Sequence, residues 1–196
     1  LSSPDADARF YVAYWRGTAG GTLAVDTEIQ QALLKAKRRI RDLSRDDPVT
    51  GLLNANTFIE VLNHDWAVAA REKSSLALVS FTLNDFAEYL EVFGRHASDS
   101  CMRRVAQAIR RCLRRASDVA ARIETSDGDC LVVLSHSSDA NAVNDFAAKI
   151  AAAVRELGLH HPRSRESKFV TVSYKTRVME AGKDKVSAEE FLATVS

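Results

Sequence analysis

The stretch Leu113-Arg114-Arg115-Ala116-Ser117-Asp118-Val119-Ala120-Ala121-Arg122-Ile123, continued by Glu124-Thr125-Ser126-Asp127-Gly128-Asp129-Cys130, joins two kinds of chemistry. Its first half carries an Arg-x-x-Asp unit, Arg115 and Asp118, where a very basic helix gives way to an apolar strand. Its second half leads through Asp and Gly residues, which favour turns, to a second apolar run, Leu131-Val132-Val133-Leu134. Two strands, Val119–Ile123 and Cys130–Leu134, are therefore expected to meet around a tight connection.

The flanking sequence supplies the rest of a sheet domain. Upstream, a helix capped by Asp99 runs to about Arg115, with Met102, Val105, Ala106, Ile109, Cys112 and Leu113 inward and Arg103, Arg104, Arg110, Arg111 and Arg114 outward. Before it come a short helix from Phe86 to Phe93, stopped at Gly94, and the near-continuous apolar run Leu76–Thr82. Such a run suits a central strand buried on both faces. A helix from Thr57 to about Arg71 precedes that strand, with Phe58, Val61, Leu62 and Trp66 inward. Downstream, Asp139 caps a helix to about Leu157, a polar loop covers 158–168, Phe169–Tyr174 alternates as a strand, and Ser187 opens a last helix. This order predicts an α+β fold with a ferredoxin-like βαββαβ core and a mostly antiparallel sheet flanked by helices. Topology of this kind serves many functions and names none.

Residues 1–25 read as a β-hairpin, Arg9–Trp15 and Thr22–Val25 about a Gly-rich turn, and so as the tail of a preceding sensor-like domain or a segment that packs on a partner. Residues 26–46 form a linker helix, capped by Asp26 or Thr27, with Ile29, Leu33, Ala36, Ile40 and Leu43 on a heptad seam. Two readings stand for it: a parallel dimeric signalling helix, or an amphipathic helix lying on its own domain. Residues 47–196 are the sheet domain.

Bulk properties exclude more than they select. At 46% hydrophobic and 27% charged the chain is a soluble globular protein, and its net charge of +1 draws it toward neither nucleic acid nor membrane. No apolar run reaches the roughly 20 residues of a membrane span, so the expected location is cytoplasmic, on its own or as the cytosolic part of a larger protein. Cys101, Cys112 and Cys130 lack metal-like spacing, and their odd number argues against a disulfide framework.

Three blocks in order resemble the GGDEF domain, the diguanylate cyclase module, over about residues 45 to 196. Asp47-Pro48-Val49-Thr50-Gly51-Leu52-Leu53-Asn54 is similar to that family's opening motif D-x-L-T-G-L-x-N-R, with Val49 for Leu and Ala55 for Arg. Thr82 through Gly94 and Asp99 follow the spacing of its D-x-D-x-F-K-x-x-N-D-x-x-G-H-x-x-G-D block. Arg115 to Arg122 is similar to R-x-x-D-x-x-A-R, which leads into the signature turn.

The departures from the pattern carry the functional expectation. Thr82 stands where the resemblance implies a metal-binding Asp, Asn84 at the second Asp, Ala87 at a phosphate-contacting Lys, Leu90 at a guanine-reading Asn, and Arg95 at the His. Asp99 alone keeps its match, to the second guanine-reading residue. In place of G-G-D-E-F, the chain aligns Ser126-Asp127-Gly128-Asp129-Cys130. Cyclase chemistry needs divalent cations on carboxylates and glycines that let phosphate approach the backbone, so a catalytically inactive domain is expected, with no cofactor and no metal. The Arg-x-x-Asp unit resembles the family's inhibitory site, which implies binding of cyclic di-GMP by Arg115 and Asp118, with Arg114 and Arg122 adding positive potential and Lys149 as a bridging candidate. The expected partners are cyclic di-GMP, a second copy through the 26–46 helix, and an unidentified neighbouring domain or protein, with no nucleic acid. The rival reading is a nucleotide-free dimerisation module that regulates an adjacent domain. Retained GTP binding without turnover is a third.

Overall fold

The computed structural model describes residues 27–36, 39, 44–125, 128–183 and 186–195. The chain divides into two units, Leu1–Ser44 and Arg45–Ser196. In the first, residues 27–36 form helix α1, which leaves Ile29, Leu33 and Leu34 more than half exposed. The hairpin expected within 1–25, the Asp26 cap, and the seam positions Ile40 and Leu43 lie outside the described residues.

The second unit begins with a tight turn. Asp47 Oδ1 accepts from the Thr50 amide at 2.8 Å and the Thr50 hydroxyl at 2.7 Å. Asn54 then caps α2 (Ala55–Glu72) by accepting from the Thr57 amide, so the helix starts two residues before the position read from periodicity. β1 (Ser75–Leu83) follows, then α3 (Phe86–Cys112), β2 (Val119–Thr125), β3 (Gly128–Ser135), α4 (Ala140–Glu156), β4 (Val172–Glu180) and α5 (Ala188–Ala193). The strands lie in the order β2-β3-β1-β4, every neighbouring pair antiparallel. That is the expected ferredoxin-like arrangement, with β1 buried continuously from Leu76 to Phe81 because it has a strand on each side and helices on each face.

Alternation along β1 feeds two cores. Ala77, Val79, Phe81 and Leu83 join α3 and α4 through Met102, Val105, Ile109, Val143 and Ile150. Leu76 and Leu78 join α2 and α5 through Phe58, Leu62, Trp66 and Phe191. Trp66 and Phe191 sit 4.9 Å apart, and Ser80 Oγ donates to the Val195 carbonyl, which fastens α5 to the sheet. Among the described residues no helix is long and apolar enough to cross a membrane.

Three local expectations are corrected. Gly94 (φ 76°, ψ 173°) interrupts the helix as expected, but helix resumes at once on the far side of this kink, so Asp99 sits inside the second part of α3 instead of capping it. Only glycine takes that backbone conformation at little cost. α3 stops at Cys112, where Leu113 turns extended, and Arg115 therefore belongs to the following turn and not to the helix. β4 begins at Val172 and continues to Glu180. Its outward Ser173, Lys175 and Arg177 are exposed, and the alternation read from the sequence ended at Tyr174.

Candidate functional site

Two concavities lie at opposite ends of the β2–β3 hairpin. The first is a recess of about 150 Å³ that contains the Arg-x-x-Asp unit. The turn after α3 brings Arg114, Arg115 and Asp118 to one wall; Ser135 and Ser137, at the exit of β3, and Ala142, Val143 and Phe146, on the first turns of α4, close the other sides. The turn is self-braced. The Asp118 amide donates to the Arg115 carbonyl at 3.1 Å, and Asp118 Oδ2 accepts from the backbone amides of Arg115 (3.1 Å) and Arg114 (3.4 Å). Its other oxygen, Oδ1, is buried without a hydrogen-bond partner among the described residues. A buried acceptor left unpaired costs free energy until a donor reaches it. Arg115 Nη1 donates to the His136 carbonyl, which holds the guanidinium at the recess while its remaining N–H groups keep their donor capacity.

Lys149 and Arg122 are not among the residues lining this recess. Lys149 is exposed one turn beyond Phe146 on α4, on the same side of that helix. Arg122 lies about 13 Å farther along β2. There Arg122 Nη2 donates to Asp129 Oδ2 at 2.6 Å, and Nη1 stands 3.5 Å from Asp47 Oδ2. Its amide also donates to the Leu53 carbonyl, so Arg122 ties the opening turn to the hairpin. Burial works against its charge, but the hydrogen bond and charge of Asp129, then Asp47, outweigh burial and raise its pKa.

The second concavity is a cleft of about 620 Å³ between the end of β1, the start of α3 and the hairpin. Thr82, Ala87 and Leu90 line it, at three of the positions where the family pattern has an acid, a lysine and an asparagine. Asp85, Glu88, Glu124 and Asp129 supply its acids. Asp85 accepts from the Arg165 amide at 2.8 Å and lies 3.6 Å from Arg165 Nε, and Glu88 lies 3.4 Å from Arg165 Nη2. The Asp85 carbonyl is also 2.9 Å from Nε2 of the buried His161. Asn84 turns to β4 and its approach, donating to Thr171 Oγ1 at 3.0 Å and Glu166 at 3.1 Å and accepting from Ser173 Oγ at 2.8 Å. Asp99 is not among the cleft-lining residues.

A divalent cation of the kind the cyclase resemblance implies does not fit these residues. The β1 position offers the Thr82 hydroxyl in place of a carboxylate, Asp129 is already engaged by Arg122, and no three His, Cys, Asp or Glu side chains among the described residues group around one point. Cys130, at the last signature position, is 4% exposed and packs as an apolar residue; burial raises its thiol pKa. Ser126 and Asp127 lie outside the described residues.

The residues that reading by motif missed are His136, Phe146 and the 158–168 loop with Arg165. None stands at a fixed spacing from the motif it serves. The only signal available was that β3 had to end near His136 and α4 had to begin near Asp139.

Known proteins share both the sequence pattern and the fold. The family model described as "Diguanylate cyclase, GGDEF domain" matches residues 44–193. The cyclic di-GMP phosphodiesterase PdeR of Escherichia coli (strain K12) is 28% identical over 121 residues, 62% of this chain and 17% of PdeR, so the chain spans a small part of that protein's length. Among solved structures, the coiled coil and GGDEF domain of DgcB from Caulobacter crescentus, in complex with c-di-GMP, superposes with a TM-score of 0.66 at 20% identity over 91% of this chain and 90% of that one. Diguanylate cyclase SiaD from Pseudomonas aeruginosa, in complex with its activator SiaC, superposes with a TM-score of 0.63 at 19% identity over 95% of this chain and 69% of that one. Because the matched span runs through the whole sheet domain, from the opening turn to α5, the chain belongs to the diguanylate cyclase GGDEF-domain family.

Proposed function

We propose that this chain is a catalytically inactive GGDEF domain that serves as a cyclic di-GMP receptor through Arg115 and Asp118 and relays binding to a neighbouring domain or partner. The observation that carries the reading is the buried, unpartnered Oδ1 of Asp118 beside the Arg115 guanidinium in one recess. Guanine presents N1–H and N2–H donors that a carboxylate accepts, and O6 and N7 acceptors that an Arg fork holds in two bonds. Phe146 offers an apolar wall for the base. The recess is smaller than the 300–1,000 Å³ typical of enclosed ligand sites. A dinucleotide therefore lies partly on the surface, with its phosphates toward Arg114 and Lys149. The DgcB structure contains c-di-GMP, which shows that this fold accommodates the ligand in that protein.

The cleft's donor set supports the inactive reading: Thr82 offers a hydroxyl where phosphoryl transfer would need a cation-holding carboxylate, and Asp129 is engaged by Arg122. Titration calorimetry with cyclic di-GMP tests the reading. Wild type is expected to bind in the presence of EDTA, since no metal takes part. Arg115→Ala is expected to lose about 2–4 kcal/mol, roughly 30- to 1000-fold in affinity. Absence of binding by wild type would sink the proposal.

A second reading, a dimerising module, has its own observation: Ile29, Leu33 and Leu34 are exposed on α1 at 58%, 53% and 58%. Side chains of this size at heptad-like spacing gain most from a partner helix. Light scattering should show a dimer that Leu33→Asp converts to monomer. A monomeric wild type removes this reading and leaves the receptor reading standing.

A further inference from the structure

Residues 100–117 contain six arginines and no acidic side chain. Folding sorts them. Met102, Val105, Ala106, Ala108 and Ile109 turn into the core, while Arg103, Arg104, Gln107, Arg110 and Arg111 stay exposed on α3. At 100° per residue these five positions fall within an arc of about 120° over about 12 Å of helix. Arg114 prolongs the line past the helix end.

Four of these side chains, Arg104, Arg110, Arg111 and Arg114, make no ion pair among the described residues, and Arg103 donates only to the Val49 carbonyl at 3.0 Å. Three arginines elsewhere in the sheet domain are matched: Arg122 by Asp129 and Asp47, Arg163 by Glu91, Arg165 by Asp85 and Glu88. A solvated surface ordinarily mixes signs. This one holds a single sign in a chain whose total is +1.

We infer that the α3 stripe is a binding surface for the phosphodiester backbone of a nucleic-acid strand, a function beyond that of the recess, with which it shares only Arg114. The stripe offers no apolar anchor of the kind that centres a protein interface: none of the exposed large hydrophobic side chains falls between Arg95 and Ser117. Its partner must therefore be held by charge. Arginine forks match phosphate oxygens in pairs of hydrogen bonds. The shape favours a line over a plane, because the exposed face of α4 beside it carries Asp145 and Glu156 against Lys149 and Arg155 and adds no net attraction for a membrane surface. With one charge per 3.4 Å of each strand, the 12 Å stripe meets three or four phosphates. No exposed aromatic side chain stands on it to stack a base, so binding is indifferent to sequence. The near-neutral total charge, which argued against a nucleic-acid partner, averages over this concentration.

The test is fluorescence anisotropy of a labelled 20-nucleotide single strand with the full 196-residue chain. About four neutralised phosphates predict that affinity falls roughly 50-fold between 50 and 200 mM salt. Arg104→Gln/Arg111→Gln removes two of the contacts. It should weaken binding at 50 mM salt at least tenfold and make the salt dependence shallower, with the melting temperature and cyclic di-GMP titration unchanged. The inference is overturned if wild type does not bind the strand at 50 mM salt, or if the double variant binds as wild type does. It is equally overturned if vesicles with anionic lipid capture the chain through these arginines while the strand does not.

Discussion

The cleft and the recess share the same two strands and hold charged groups in opposite states. In the cleft the acids are largely answered: Asp129 by Arg122 at 2.6 Å, and Asp85 and Glu88 by Arg165. In the recess, Asp118 braces a turn with one oxygen and leaves the other buried and unpaired, while Arg115 spends one donor on a backbone carbonyl. Charges that are already matched hold structure. Charges left unmatched at a concave surface are where an incoming ligand gains most, because it supplies hydrogen bonds the fold lacks. By that standard the cleft's acids act as a structural junction, and the recess is the end with unspent binding groups.

Exchanging the loss between the two ends gives the sharpest break. Arg115→Ala should cost 30- to 1000-fold in cyclic di-GMP affinity and leave the melting temperature nearly unchanged, since its side chain is exposed. Arg122→Ala should do the reverse. It strands Asp129 and Asp47, at 24% and 16% side-chain exposure, and should cost about 2 kcal/mol of stability, below the range for fully buried pairs. Calorimetric ligand titration and thermal melting of both variants decide it. Loss of ligand affinity in Arg122→Ala would place that residue in the binding site after all and erase the contrast.

A smaller effect separates the two parts of α3. Gly94 at φ 76° lies between the cleft-lining first turns and the arginine-bearing remainder. A Cβ there would meet nothing within 4 Å, so the cost of Gly94→Ala is backbone strain alone, about 1–2 kcal/mol. Chemical denaturation should show that loss with no change in ligand affinity at the recess.

The smallest effect appears only at alkaline pH. Burial pushes the Cys101 thiol from 9.0 up to about 11, with the Tyr89 hydrogen bond acting the other way. The folded state thus favours the protonated thiol. The stability this represents is whole below pH 9, where both states keep the proton, and is lost as pH rises toward 11 and the unfolded thiolate is favoured. Melting temperature should fall across that window, and Cys101→Ala should flatten the fall. Equal slopes in the two proteins would show that Cys101 contributes nothing to it.

Much of the fold was legible because its signals are local. Apolar periodicity located α2, α3 and α4, Asp139 and Ser187 capped the helices they were expected to cap, and the unbroken run at Leu76–Phe81 marked the central strand. The second half of β4 was not legible, since an edge strand with charged outward positions looks like loop until its partner is known. Of the candidate site, the chain order of Arg114, Arg115 and Asp118 marked the recess. It also grouped Arg122 with them, although extended chain carries Arg122 to the middle of β2, away from the recess.

The amino-acid sequence by itself determined the order of elements, the family, and which side chains, Thr82, Ala87 and Leu90, stand along the cleft. The tertiary structure alone decided which charges are spent. Arg122 meets Asp47, 75 positions away, and Asp129 across the hairpin; Arg115 meets the His136 carbonyl, 21 positions on. Periodicity reports which face of an element is buried, because burial repeats along the chain. Ion pairs and hydrogen bonds between distant segments repeat nowhere, and they exist only once the sheet has brought those segments within about 3 Å of one another.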